Sequence, residues 1–127
     1  TGEAKIDNPR TIASAIRIGK PVNWFRAYRA AKYSGGAFIE VSDDEIVRAQ
    51  AMLGKEGIGV EPASAASLAG YLRALSEGLI GPSDKAVLIA TGHALKDPDA
   101  LLMGNANMIS ISSINELRNL VMGNAIA

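Results

Sequence analysis

The chain has 127 residues, close to half of them apolar, with 13 basic and 13 acidic side chains and a formal net charge of zero. That length and composition suit one ordinary globular domain, and the balanced charge gives no electrostatic footing for nucleic acid or an anionic membrane surface. The lack of cysteine excludes a disulfide framework and thiolate metal sites and fits a reducing cytoplasmic setting, while no apolar run approaches the ~20 residues of a membrane span.

The opening stretch Thr1-Gly2-Glu3-Ala4-Lys5-Ile6-Asp7-Asn8-Pro9 reads as a polar connector, which leaves open that the chain is a piece of a longer polypeptide. Ile12, Ala15 and Ile16 then have helical spacing, predicting a helix over Arg10–Ile18 that stops at Gly19. Pro21 suits the entry to a second helix over Val22–Ser34, which ends at Gly35-Gly36. Its aromatics Trp24, Phe25 and Tyr28 are expected in core and interface rather than as a stacking platform. Ala37–Val41 alternates like a short strand. Ser42-Asp43-Asp44-Glu45 is a capping box: the Ser42 hydroxyl takes the Glu45 N–H and the Glu45 carboxylate reaches back. Asp43, Asp44 and Glu45 are therefore read as a helix start, favoured by the helix dipole, rather than as an acid pair. The helix that follows carries Ile46, Ala49 and Leu53 on one stripe and ends near Gly54–Gly57.

Ile58–Val60 reads as a second short strand, and Pro62 opens a helix through about Leu75 with Ala65, Leu68, Ala69, Leu72 and Leu75 on one face. Gly78 and Gly81-Pro82 punctuate the link to a third strand, Ala86–Ala90. Asp97-Pro98 breaks the chain again, and Ser113 with Glu116 offers a capping box for a last helix closed by Gly123-Asn124. Met-Gly-Asn occurs at Met103–Asn105 and Met122–Asn124, too little to signal a repeat architecture. This order predicts an α/β fold: a small parallel sheet with flanking helices, its strands ending on one edge through right-handed crossovers.

Two polar signatures fall at predicted strand ends, where a parallel sheet binds ligands: Glu61-Pro62-Ala63-Ser64 and Thr91-Gly92-His93. The small residues Ala63–Ser67 suit either close packing of helix on sheet or the approach of a flat ring or an anion to backbone N–H groups. Thr91 serves either a neighbouring turn or a ligand. His93, the only histidine, has no nucleophile or metal partner at a recognisable spacing and is read as structural. Glu61 fits a buried carboxylate, a cap or a salt bridge equally well. A Walker loop and a complete Gly-x-Gly-x-x-Gly are missing.

Four blocks in order resemble threonine synthases: Thr11–Trp24, Val41–Ile46, Glu61–Ser67 and Thr91–Pro98. The resemblance covers roughly Asn8–Pro98, and the segment after Asp99 carries no recognised block. It implies a pyridoxal-phosphate-dependent lyase of threonine biosynthesis that converts O-phospho-L-homoserine and water to L-threonine and phosphate. It further implies the two-domain fold type II (tryptophan synthase beta-like) architecture and a homodimer, with no nucleic-acid or membrane partner. Residues 1–98 would be the cofactor-ring side of the carboxyl-terminal portion of that catalytic fold, and 99–127 a tail with the last helix. By the same resemblance Thr91, beside Gly92, would hydrogen-bond the pyridine nitrogen of the cofactor. Ser14-Ala15-Ile16 would lie against the ring face, and Glu61 to Ser64 near the ring edge. A neutral hydroxyl partner leaves that nitrogen largely unprotonated, unlike an aspartate, and makes the ring a weaker electron sink.

The chain departs from the family pattern in three places. The Schiff-base lysine of threonine synthases stands in an upstream Ser-x-Lys-Asp motif, which Leu95-Lys96-Asp97 resembles only superficially, so Lys96 is not assigned that role. The phosphate-cradling glycine/asparagine loop and the asparagine at the ring oxygen also lie upstream in the family. The expectation is a carboxyl-terminal segment that is inactive without the remainder of its polypeptide. The alternatives are another fold type II enzyme, such as a threonine/serine dehydratase or a cysteate synthase-like enzyme, or a non-enzymatic α/β binding module.

Overall fold

A computed structural model describes residues 5–103 and 109–123. It contains α1 (Trp24–Ser34), α2 (Asp43–Lys55), α3 (Pro62–Ser76), α4 (Pro98–Met103) and α5 (Ile114–Gly123). Short 3₁₀ turns occur at Ser14–Ile16 and Ala94–Lys96. Thr1–Ala4, the Gly104-Asn105 part of the first Met-Gly-Asn and Asn124 of the second lie outside the described residues.

The helix starts follow the local chemistry. At α2 the Ser42 hydroxyl accepts from Glu45 N at 3.3 Å and the Glu45 carboxylate accepts from Ser42 N at 2.7 Å, so both halves of the capping box form. Those contacts, with Ser42 N–H the largest influence and the Arg73 guanidinium next, hold the Glu45 carboxyl down at about 2. α3 begins with Pro62 in its first turn. At α5 the Ser113 hydroxyl accepts from Glu116 N at 3.2 Å, while the Glu116 carboxylate reaches one residue further back, to Ser112 N at 2.9 Å. α1 ends on Gly35 in the left-handed region, φ 68°, with Gly36 N donating to Ala31 O at 2.8 Å.

The core lies where α2 packs on α3. Ile46 and Ala49 of α2 meet Ala65 and Ala69 of α3, with Val60 from the connecting loop and Ala13 from the amino-terminal segment. Leu53 and Leu68 pack around this cluster. The alanines let the helix axes approach closely; the predicted leucine face of α3 is only partly used, and Leu72 is exposed.

Three expectations are corrected. No strand forms among the described residues: the single pairing is an isolated antiparallel bridge, Val60 with His93, so the parallel sheet is not present here. A strand exists only through a ladder with a neighbour, and 37–41 and 86–90 have no ladder partner within the described chain. The predicted helix over Arg10–Ile18 shrinks to the turn at Ser14–Ile16. Asp43, in the first turn of α2, takes Ile12 N at 3.2 Å and the Thr11 hydroxyl at 2.5 Å, and Thr11 Oγ1 takes Ala13 N at 3.1 Å. Those side-chain bonds hold the backbone in a non-helical path. Finally, the α1 aromatics are not core: Phe25 and Tyr28 are exposed, and Arg29 stacks over Phe25 and Tyr33 at 5.8 and 5.7 Å.

Candidate functional site

The first turn of α3 and the segment 91–92 meet at one side chain. Ser64 is 1% exposed. Its hydroxyl oxygen stands 3.0 Å from Thr91 N, 2.7 Å from Gly92 N, 3.0 Å from Thr91 Oγ1 and 3.2 Å from Gly92 O. Two backbone bonds frame this knot, Glu61 N to Gly92 O at 3.0 Å and Ala94 N to Gly59 O at 3.2 Å, flanking the Val60–His93 bridge. Gln50 of α2 secures the same loop from beneath, its Nε2 donating to Val60 O at 2.8 Å. Thr91 itself remains exposed at the surface of this knot.

Glu61 is buried at 3% exposure, and its carboxylate lies over Gly92. A Cβ at residue 92 would stand 1.9 Å from Glu61 Oε1, so no side chain fits there while Glu61 keeps its place. Lys96, mostly exposed, reaches in to Glu61 Oε1 at 3.2 Å. Of the readings open for Glu61, the buried carboxylate and the salt bridge are both observed; it precedes α3 without forming a side-chain cap. His93 is structural: its Nδ1 accepts from Leu95 N at 3.1 Å and caps the turn Ala94–Lys96.

Thr91, Gly92, Glu61 and Ser64 are thus brought together. Ala15 and Ile16 occupy the exposed 3₁₀ turn, which packs on α3. The Ser14 hydroxyl ties that turn to the 91–97 block by donating to Asp97 Oδ2 at 2.6 Å. Beside that bond, Thr11, Ser14, Arg17, Asp43 and Asp97 line an open hollow of about 670 Å³, which none of Glu61, Ser64, Thr91 or Gly92 enters. Sequence reasoning missed the Ser14–Asp97 and Lys96–Glu61 pairs, which join positions 83 and 35 residues apart and leave no local signal. Among the described residues no group of three His, Asp or Glu side chains is placed to hold a metal ion. No helix among them is long and apolar enough to cross a membrane.

Compared with known proteins, residues 1–92 match the family described as pyridoxal-phosphate dependent enzymes. The chain belongs to this family. Its cofactor is pyridoxal phosphate. The chain is 50% identical over 116 residues to the threonine synthase of Methanocaldococcus jannaschii, covering 90% of the chain and 29% of that protein. It is 45% identical over 121 residues to the threonine synthase of Methanosarcina acetivorans, covering 94% and 30% respectively. Against the threonine synthase of Mycobacterium bovis the identity is 44% over 110 residues, covering 86% and 30%. The chain therefore spans about three-tenths of the length of these relatives. The two longest of these alignments exceed the stretch Asn8–Pro98, so the likeness continues past Asp99. Family membership supports an α/β architecture, although the described residues form helices and one bridge.

Proposed function

We propose that this chain is the carboxyl-terminal part of a threonine synthase and supplies the ring-nitrogen side of its pyridoxal phosphate site. The observation that carries the reading is the Thr91–Gly92–Ser64–Glu61 knot, an exposed hydroxyl on a rigidly hydrogen-bonded support, in a chain whose relatives are threonine synthases. The residues fit a flat ring at its nitrogen edge. Thr91 offers a neutral hydroxyl, and Gly92 leaves the space beside it to the Glu61 carboxylate rather than to a side chain of its own.

The cofactor, when bound, withdraws electrons from the reacting carbons of an amino-acid substrate. The work of this chain is positional. Thr91 holds the ring nitrogen through a hydroxyl, and the Ser64 hydroxyl and the Glu61 backbone N–H fix the Thr91–Gly92 backbone. Ala15 and Ile16, on the turn braced by Ser14–Asp97, limit the ring face. The substrate is O-phospho-L-homoserine, with water entering and phosphate leaving. The covalent lysine anchor and the phosphate cup come from the remainder of the polypeptide, in a cytoplasmic homodimer. Lys96 is engaged with Glu61 and is not that anchor. In the whole enzyme 37–41 and 86–90 join the fold type II sheet, with 1–98 in the catalytic fold and 99–127 as its tail.

Thr91→Val in the full-length protein tests this reading, because it exchanges a hydroxyl for a methyl of similar shape. The fold should persist, the cofactor absorbance should shift, and turnover of O-phospho-L-homoserine should fall by the equivalent of ~1–2 kcal/mol. Wild-type kinetics with an unchanged spectrum would remove Thr91 from the site. Rapid 2-oxobutyrate formation from threonine alone would replace the synthase with a dehydratase. A borohydride-trapped cofactor on the 127-residue chain by itself would refute the dependence on a lysine elsewhere.

A further inference from the structure

The hydrogens around Ser64 determine which way the Thr91 hydroxyl works; the step rests on the ring-nitrogen reading of Thr91 above. A serine hydroxyl has one hydrogen to give and two lone pairs to accept with. Backbone amides only donate, and Thr91 N at 3.0 Å and Gly92 N at 2.7 Å both point at Ser64 Oγ, so both lone pairs are occupied. The one Ser64 hydrogen goes to Thr91 Oγ1 at 3.0 Å, to Gly92 O at 3.2 Å, or is shared between them. In every case Ser64 has no lone pair left for the Thr91 hydrogen. Gly92 O already accepts from Glu61 N at 3.0 Å, which makes Thr91 Oγ1 the less crowded acceptor.

We infer that Ser64 is a positioning residue that makes Thr91 a hydrogen-bond donor toward the cofactor: its lone pairs hold the 91–92 backbone, and its hydrogen occupies the acceptor side of Thr91 Oγ1. The Thr91 hydrogen is then directed away from Ser64, out of the exposed face of the knot. A hydroxyl that accepts one hydrogen bond donates a stronger one, so the chain runs from Ser64 through Thr91 to the ring nitrogen. The matching partner is an unprotonated nitrogen. A protonated one would leave the Thr91 hydrogen with no acceptor on the Ser64 side. Ser64 thus reaches the electronic state of the ring through Thr91 without touching the ring.

The test uses the full-length protein loaded with pyridoxal phosphate carrying ¹⁵N in its ring. Ser64→Ala should move the ring-nitrogen resonance in the same direction as Thr91→Val but less far, and lower kcat about three- to tenfold with KM nearly unchanged. Independently of the cofactor, amide exchange at Thr91 and Gly92, read by single-residue fragmentation in the mass spectrometer, should accelerate in Ser64→Ala. It should not do so in Ser67→Ala, which removes only a hydroxyl bonded to Ser64 O at 2.8 Å. Ser64→Cys keeps the volume with a weaker acceptor and should change the same quantities with the same sign, which preserves the test if the alanine variant does not fold. An unmoved ring resonance in both Ser64 variants, alongside a shifted one in Thr91→Val, overturns the positioning role and leaves the Thr91 reading intact. Unchanged exchange at both amides also overturns it. An unmoved resonance in Thr91→Val overturns the Thr91 reading instead, and this inference with it.

Discussion

In the α2–α3 pair, apolar side chains are covered by this chain itself; along 37–41 and 86–90 most of them face outward, although Val41 packs against the core. Ile46, Ala49, Ala65 and Ala69 are buried, whereas Phe38 and Ile89 are exposed and Val87 is 90% exposed. Both regions are apolar in composition, so hydrophobicity does not separate them. What separates them is the range of the bonds each needs. A helix satisfies its backbone within four residues and requires only one covered stripe. A strand requires a neighbour strand for its N–H and C=O groups, and among the described residues the one pairing formed is the Val60–His93 bridge. That bridge is also where the site is built, because it draws the end of the 86–90 segment against the start of α3.

The largest expected effect lies in the covered region. Ile46→Ala should cost about 2–5 kcal/mol in chemical denaturation, since the cavity opens between two helices. A cost below that of an exposed substitution would mean that α2 and α3 do not pack as described. Gly92→Ala comes next, at about 1–3 kcal/mol, because the new Cβ displaces a carboxylate whose Cδ would stand 2.3 Å away and separates it from Lys96. Gly59→Ala is the matched control: its Cβ would meet Ala94 Cβ at an ordinary 3.5 Å and should change stability by less than about 0.5 kcal/mol. Equal costs at the two glycines would argue against the Glu61–Gly92 contact. Val87→Asp sharpens the comparison from the other side. It should alter the 127-residue chain by less than about 0.5 kcal/mol but destabilise the full-length protein clearly, if 86–90 is a sheet strand there. An equally small effect in both would leave the segment outside any sheet.

The same contrast explains what could be read from the sequence. α2 and the start of α3 were legible because their signals are local: the Ser42–Glu45 box lies within one turn, and Pro62 stands at its helix start. The alternation in 37–41 and 86–90 signalled apolar side chains but not the neighbours a ladder requires. Arg10–Ile18 had helical spacing, yet its backbone is held by Asp43, 31 residues on from Ile12. In the candidate site, Thr91, Gly92, Glu61 and Ser64 stand out as polar signatures at predicted strand ends and take cofactor roles by resemblance to threonine synthases, and their juxtaposition is visible only in three dimensions, across 27 and 28 residues of sequence. Lys96 pairs with Glu61 across 35 residues, and nothing near it in sequence pointed to that partner.

The smallest expected effect concerns the edge of the covered region. Arg73 of α3 clamps Glu45 at the start of α2, with Nη2 at 2.6 Å from Oε2 and 2.7 Å from Oε1. The guanidinium is pushed further up by the same carboxylate. Glu45 is held at about 2 against an ordinary 4.5, so the folded state binds its proton more weakly than the unfolded state does. Its contribution is therefore fully present above pH 4.5 and is lost as pH falls from 4.5 toward 2. Glu45→Gln should remove that part of the acid dependence: the unfolding midpoints of variant and wild type should differ at pH 7 and converge by about pH 2. Both partners are partly exposed, so raised salt should shrink the Arg73 share, while the Ser42 N–H contact, which is local to the helix start, should persist. A pH-independent difference between the two proteins would show that Glu45 acts through side-chain packing and not through its charge.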